Sequence, residues 1–304
     1  MAERGSIRAL HLIAWFYRTF GRRLSMTLLK PIAFYFVATG RASRRASLDY
    51  LRTLWSTPEG RRALGDARPG FWHAYRHHLA FAEAIFDRMI AWSGETSLFV
   101  VEHEGSEHLF RLVRENRGAI LLGAHLGSFD LLRLISGEHG VHVNVLMFTK
   151  HAEQINAFFE KLNPGAHVRV IQFEPGSIRA VFDLKATIDR GELVGILGDR
   201  LWESEKARSV SVRFLGRRAR FPLGPFLLQG VLGCPMLFTG CVRTGAARYE
   251  AMAMPFADAG VVSRRERTKR AEQLAQAYAR LLEQQCLRAP YQWFNFFEFW
   301  EDEA

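Results

Sequence analysis

The sequence predicts an α/β protein: a mixed, largely parallel sheet covered by helices, preceded by a basic helical N-terminal leader. Three observations predict it. From Leu98 onward short apolar runs alternate with amphipathic segments, the pattern that places parallel strands side by side with helices over them. One run, Ala119 to Ala124, is apolar throughout and framed by glycine, as a strand buried on both faces should be. The 304 residues, 48% of them hydrophobic, are enough for one large core.

Taken in order, residues 1–60 read as the leader, closed by Thr57-Pro58-Glu59-Gly60, and residues 61–304 as the main domain. The leader carries Arg4, Arg8, Arg18, Arg22, Arg23, Lys30, Arg41, Arg44 and Arg45 against Glu3 and Asp49. Apolar and aromatic clusters, Leu10 to Tyr17 and Ile32 to Val37, lie between them. Lys30 and Pro31 interrupt the best stretch short of the roughly 18 residues needed to span a bilayer. No small-residue cleavage site of the signal-peptide kind is present. The segment therefore suits a helix lying on an anionic membrane surface, arginines on lipid phosphates, or an ordinary amphipathic helix packed on the domain. Phe71 to Trp92 predicts a helix whose Trp72, Tyr75, Leu79, Ala82 and Phe86 fall near one stripe, the pattern of a core-facing side. Strands follow at 119–124, 141–148, 167–173 and 193–198, separated by helices at 129–138, 151–162 and 177–190. Val210 to Phe214 and Ala219 to Phe221, joined by Gly216-Arg217-Arg218, predict a hairpin. Gly224 to Leu232 predicts a helix, Pro235 to Val242 a strand, Tyr249 to Pro255 an edge strand, and Arg264 to Leu287 a long polar helix. The aromatic tail from Pro290 to Trp300 should pack on the domain or wall an acyl-chain pocket.

The chemistry points to one place. His125 ends the apolar run, and Asp130 follows five residues later, with Ser128 placed to cap the helix that begins at Phe129. Residues five apart on a helix lie about 140° apart, so the two side chains meet only if His125 precedes the helix. A strand-end histidine with a first-turn aspartate on one ring nitrogen has the form of a general base; a histidine satisfied by a helix-capping aspartate is the plainer alternative. Spacing alone does not decide, since His78 and Glu83 repeat it inside the helix at 71–92, where it reads as structural. Asp199 and Arg200 follow the strand that ends at Leu197, and in a parallel sheet they reach the same edge as His125, where an arginine suits a phosphate or carboxylate, or a surface salt bridge.

Other classes are excluded or lack support. The net charge of +10 favours anionic partners, but no zinc-finger spacing, RNP-like strand or recognition helix supports nucleic acid. His103 and His108 stand one residue too far apart for a zincin helix, so no metal is expected. No Gly-x-Ser-x-Gly elbow, Walker loop or Gly-x-Gly-x-x-Gly occurs, and no cofactor is expected. Cys234, Cys241 and Cys286 are scattered, as in a reducing compartment.

Gly-Ala-His-Leu-Gly-Ser-Phe-Asp at 123–130, Gly-Ile-Leu-Gly-Asp-Arg at 195–200, Val-Arg-Phe-Leu-Gly-Arg-Arg-Ala at 212–219, Phe-Pro-Leu-Gly-Pro-Phe at 221–226, Gly-Cys-Pro at 233–235 and Gln-Trp-Phe at 292–294 occur in that order. Together they resemble the bacterial lipid A late acyltransferase branch of the lysophospholipid and glycerolipid acyltransferase superfamily, over roughly residues 100–300. The resemblance implies that His125 deprotonates a hydroxyl or amine of a lipid or lipid precursor and that Asp130 orients it. That acceptor attacks the thioester of an acyl-carrier-protein or acyl-CoA donor. It further implies Gly127, Ser128, Asp199 and Arg200 as substrate-contacting residues, and a peripheral location on the cytoplasmic face of the bacterial inner membrane. The chain departs from the family's usual pattern at Arg200, where glutamine is common, and at Tyr291, where glutamate is common, and it has no clear apolar anchor. The reaction is implied more firmly than the acceptor. An acyl-ester or thioester hydrolase and a non-catalytic lipid-binding protein are the alternatives.

Overall fold

A computed structural model describes residues 7–128, 143–147, 169–172, 177–201 and 208–301. The helices expected at 129–138 and 151–162 lie outside the described residues. Strands β1 (Val100–Glu104), β2 (Ala119–Gly123), β3 (Val143–Met147), β4 (Arg169–Gln172), β5 (Leu193–Leu197), β6 (Ser209–Phe214), β7 (Arg217–Pro222), β8 (Met236–Gly245) and β9 (Arg248–Ala257) alternate with helices. The helices are α1 (Ile7–Thr39), α2 (Arg41–Trp55), α3 (Pro58–Leu64), α4 (Phe71–Trp92), α5 (Ser106–Arg114), α6 (Ile178–Asp189), α7 (Gly224–Leu232) and α8 (Arg267–Arg288).

Seven strands form one sheet in the order β1-β9-β8-β2-β5-β3-β4. Every neighbouring pair is parallel except β8 and β9. The mixed, largely parallel α/β class is as expected. β2 is central and all five of its residues are buried, which its apolar composition requires. Gly118 ahead of it is obligatory, since a Cβ there would stand 2.2 Å from the Ile188 carbonyl oxygen. Against this sheet α8 lays Ala271, Leu274, Ala275, Tyr278, Ala279 and Leu282, all buried at helical spacing. Its Tyr278 hydroxyl donates to the carbonyl of Gly123 at 2.8 Å and so pins the end of β2.

Several boundaries differ from expectation. The 249–255 segment is not an edge: β1 pairs parallel outside it, leaving β1 at the margin. The hairpin turns at Leu215-Gly216, both with positive φ (51° and 83°), because a two-residue turn of that handedness matches strand twist; Arg217 and Arg218 belong to β7. Thr57-Pro58-Glu59-Gly60 starts a helix, the Thr57 hydroxyl accepting from the Gly60 N–H at 3.0 Å with proline at the first helical position. On α4 the buried face is Ala74, His77, His78, Phe86, Asp87 and Ile90, while Trp72 of the expected core stripe is 65% exposed.

The leader is continuous with the domain. Tyr50, Leu51 and Leu54 of α2 belong to the main core. On α1, Leu29, Ala33 and Val37 are buried at four-residue spacing, and Gly21 breaks the helix with a non-helical φ of 73°. Just past that break Arg22 makes a bidentate pair with the fully buried Asp87 of α4, Nε to Oδ1 at 3.2 Å and Nη2 to Oδ2 at 3.0 Å, and the Tyr249 hydroxyl donates to the same carboxylate. No helix among the described residues is long and apolar enough to cross a membrane.

Candidate functional site

Parallel pairing of β2 with β5, in register from Ala119↔Leu193 to Gly123↔Leu197, sends both strands out of the sheet at one edge. The Gly198 N–H donates to the Gly123 carbonyl at 3.0 Å, so Ala124–Ser128 and Gly198–Arg200 leave side by side. His125 stands on the first segment and Asp199 on the second.

Their side chains meet. His125 Nδ1 lies 2.8 Å from Asp199 Oδ1, and the His125 backbone N–H donates to Oδ2 at 3.0 Å. The Trp293 indole N–H donates to Oδ2 as well, at 2.9 Å. Asp199 is fully buried. Burial alone would raise its pKa, but the charge and hydrogen bonds of His125 outweigh it and hold the carboxyl down at about 2. A carboxylate can only accept, so Nδ1 donates to it and Nε2 is the remaining ring nitrogen. The His125 side chain keeps 28% of its surface exposed, enough for a reactant to reach it.

A third segment closes the site. Residues 292–294 run antiparallel to 125–127: Phe294 N–H donates to the His125 carbonyl and Gly127 N–H to the Gln292 carbonyl, both at 2.8 Å. Gly127 has φ of +61°, and a Cβ there would lie 2.0 Å from the Cys241 carbonyl oxygen, so only glycine permits this crossing. The aromatic tail thus packs on the domain, with Trp293 fully buried.

The expected site residues therefore divide. Asp199, expected among the substrate-contacting residues, is buried with both oxygens accepting, Oδ1 from His125 Nδ1. Gly127 and Ser128 have committed backbone N–H groups, to Gln292 and to Cys241 at 2.7 Å, so any contact they make with a substrate uses other atoms. Arg200 lies at the crevice, its Nη2 donating to the Phe294 carbonyl at 2.5 Å and its guanidinium 5.6 Å from the centre of the Phe297 ring. It is tied to the tail, and no salt bridge to it occurs among the described residues. Asp130, and the helix that Ser128 was expected to cap, lie outside the described residues. The repeated spacing at His78 and Glu83 is structural: His78 Nδ1 donates to the Ala74 carbonyl at 2.8 Å and Glu83 pairs with Arg243. His103 on β1 and His108 on α5 flank a left-handed Gly105, on separate elements. Reasoning from sequence missed Trp293 and the Asp199 contact. The register of two strands ending at one edge was the available signal for Asp199; the Gln-Trp-Phe block at 292–294 marked Trp293 without showing its contact with the carboxylate.

Beside the site a cleft of about 310 Å³ opens between α4 and the end of β8, lined by Ala80, Ala84, Gly127, Arg243, Tyr291 and Gln292.

A largely parallel sheet that holds a carboxylate-paired, partly exposed histidine just past a strand end has the architecture of an α/β enzyme site. The family profile of bacterial lipid A biosynthesis acyltransferases matches residues 78–301, more than two-thirds of the chain, and the chain belongs to that family. It is accordingly an acyltransferase, acting on an acyl donor and a lipid acceptor. No curated protein matches it.

Proposed function

We propose that the enzyme moves a fatty acyl group from an acyl thioester, carried by acyl-carrier protein or coenzyme A, to a hydroxyl or amine of a lipid or lipid precursor, with His125 as general base. The observation that carries the reading is the 2.8 Å contact of His125 Nδ1 with the buried Asp199. An alcohol at its free pKa is a poor nucleophile. As the acceptor oxygen or nitrogen bonds to the thioester carbonyl, Nε2 takes its proton; the tetrahedral intermediate then expels the thiolate, which receives that proton from the imidazolium. No covalent acyl-enzyme forms. Asp199 fixes the tautomer and favours the transient cation. Arg200 holds an anionic group of donor or acceptor beside the ring. Asp130 is proposed as a second acid of the site by its spacing.

His125→Ala should lower turnover by about 10² to 10⁴ with the fold intact. Asp199→Asn should approach it and exceed the loss in Asp130→Asn, if contact and not spacing assigns the orienting carboxylate. His78→Ala should keep its turnover per folded molecule. Thin-layer and mass-spectrometric analysis of products, with and without acceptor, checks this. Free fatty acid as the sole product would make the enzyme a hydrolase, and bound but unconverted thioester a lipid-binding protein.

A further inference from the structure

We propose that Trp293 is a positioning residue for His125, and that it is itself held from helices α2 and α4 by the buried pair His77 and Ser47. The proposal rests on the reading of His125 as the base. Asp199 Oδ2 receives two donors, the His125 backbone N–H and the Trp293 indole N–H. The backbone donor follows from the strand register, whereas the indole is the one side chain other than His125 donating to this carboxylate among the described residues. It fixes the rotation of the carboxylate plane and, through Oδ1, the tilt of the imidazole.

The indole has little freedom of its own. Its ring packs edge-on against Tyr50 at 4.9 Å, Phe299 at 4.8 Å and Phe214 at 5.3 Å. The backbone carbonyl of Trp293 lies 2.9 Å from Nε2 of His77, which is fully buried. A carbonyl can only accept, so Nε2 carries the proton. The other nitrogen, Nδ1, is 2.9 Å from Ser47 Oγ, and in a neutral ring it must accept from that hydroxyl. The directions are thus fixed at each link: Ser47 Oγ donates to His77, His77 donates to the Trp293 backbone carbonyl, and the Trp293 indole donates to Asp199, so α2 and α4 reach the site through the position of Trp293.

The test uses the full-length protein with dodecanoyl-coenzyme A and dodecanoyl-acyl-carrier protein as donors and a total bacterial lipid extract as acceptor. Trp293→Phe keeps the packing and removes the donor. It should lower kcat about tenfold with the donor KM unchanged. It should also shift the downfield proton resonance of His125 Nδ1, which is identified by its loss in His125→Ala. Ser47→Ala frees the His77 tautomer and should act in the same direction by less. Unchanged kcat and an unmoved resonance in folded Trp293→Phe overturn the proposal. If Trp293→Phe does not fold, Ser47→Ala decides by the same two readouts. Should the wild-type protein transfer no acyl group, the reading of His125 as base fails on its own. The resonance still rules on Trp293: movement supports the positioning and stillness overturns it.

Discussion

At the scale of single residues, the site is set by which groups are committed. Arg200 donates to Phe294 and leans over Phe297, and in the proposed role the rest of its planar fork would take an anion. Arg200→Lys keeps the charge and loses the fork, so it should weaken activity less than Arg200→Ala. Donor KM should rise along with the fall in kcat, because binding and alignment are lost together. Steady-state kinetics checks this against thermal melting. A lowered Tm with unchanged kinetics per folded molecule would make Arg200 only a strut for the tail. Much of this was legible in the sequence: His125 by its place after an apolar run, Arg200 by following a second one. The role of Asp199 was not, because local spacing offered Asp130 and the competing partner comes from a strand 74 residues on.

Elements read well where pattern and burial coincide. β2, β5 and the α4 boundaries follow from composition, whereas β1 gives little signal: Val100-Val101-Glu102-His103-Glu104 is mostly exposed and exists as a strand because β9 offers it a parallel edge. The same contrast governs α1. Its narrow buried stripe faces the domain, and on its other side Phe20, Leu24, Leu28, Phe34, Tyr35 and Phe36 are exposed beside Arg23 and Lys30. Phe34 gathers Phe71 and Tyr75 of α4 edge-on, with the exposed Trp72 beside them, so the apolar surface continues past one helix. An aromatic and basic face of this kind suits peripheral docking on an anionic membrane, each basic residue near the surface being worth about 1 kcal/mol. Sedimentation with anionic liposomes should show binding that weakens with salt. Equal binding to neutral liposomes would set the arginines aside, and Tyr35→Ser with Trp72→Ser should reduce binding while leaving turnover on a detergent-soluble acceptor intact.

For the molecule as a whole, a neutral histidine in the core ties stability to pH. Burial lowers the pKa of His77 from 6.5 to about 3. Between those values the unfolded chain binds a proton that the folded one does not. The contribution of His77 is therefore complete above about pH 6.5 and is lost as pH falls toward 3, by about 1.4 kcal/mol per unit. Urea titrations across that range should show the slope, and His77→Gln should flatten it; an equal slope in the variant would assign the acid sensitivity elsewhere. The aromatic tail has a different consequence, one of time. Asp199 and Trp293 are 94 residues apart, so at ordinary rates of translation the ribosome makes the histidine and its carboxylate on the order of ten seconds before the indole that locks them. A nascent chain lacking residues 290–301 carries His125 and Asp199 but not the indole that donates to the carboxylate. Catalytic competence should arrive only as the tail docks, and ribosome-bound chains stalled before residue 290 should be inert toward the thioester.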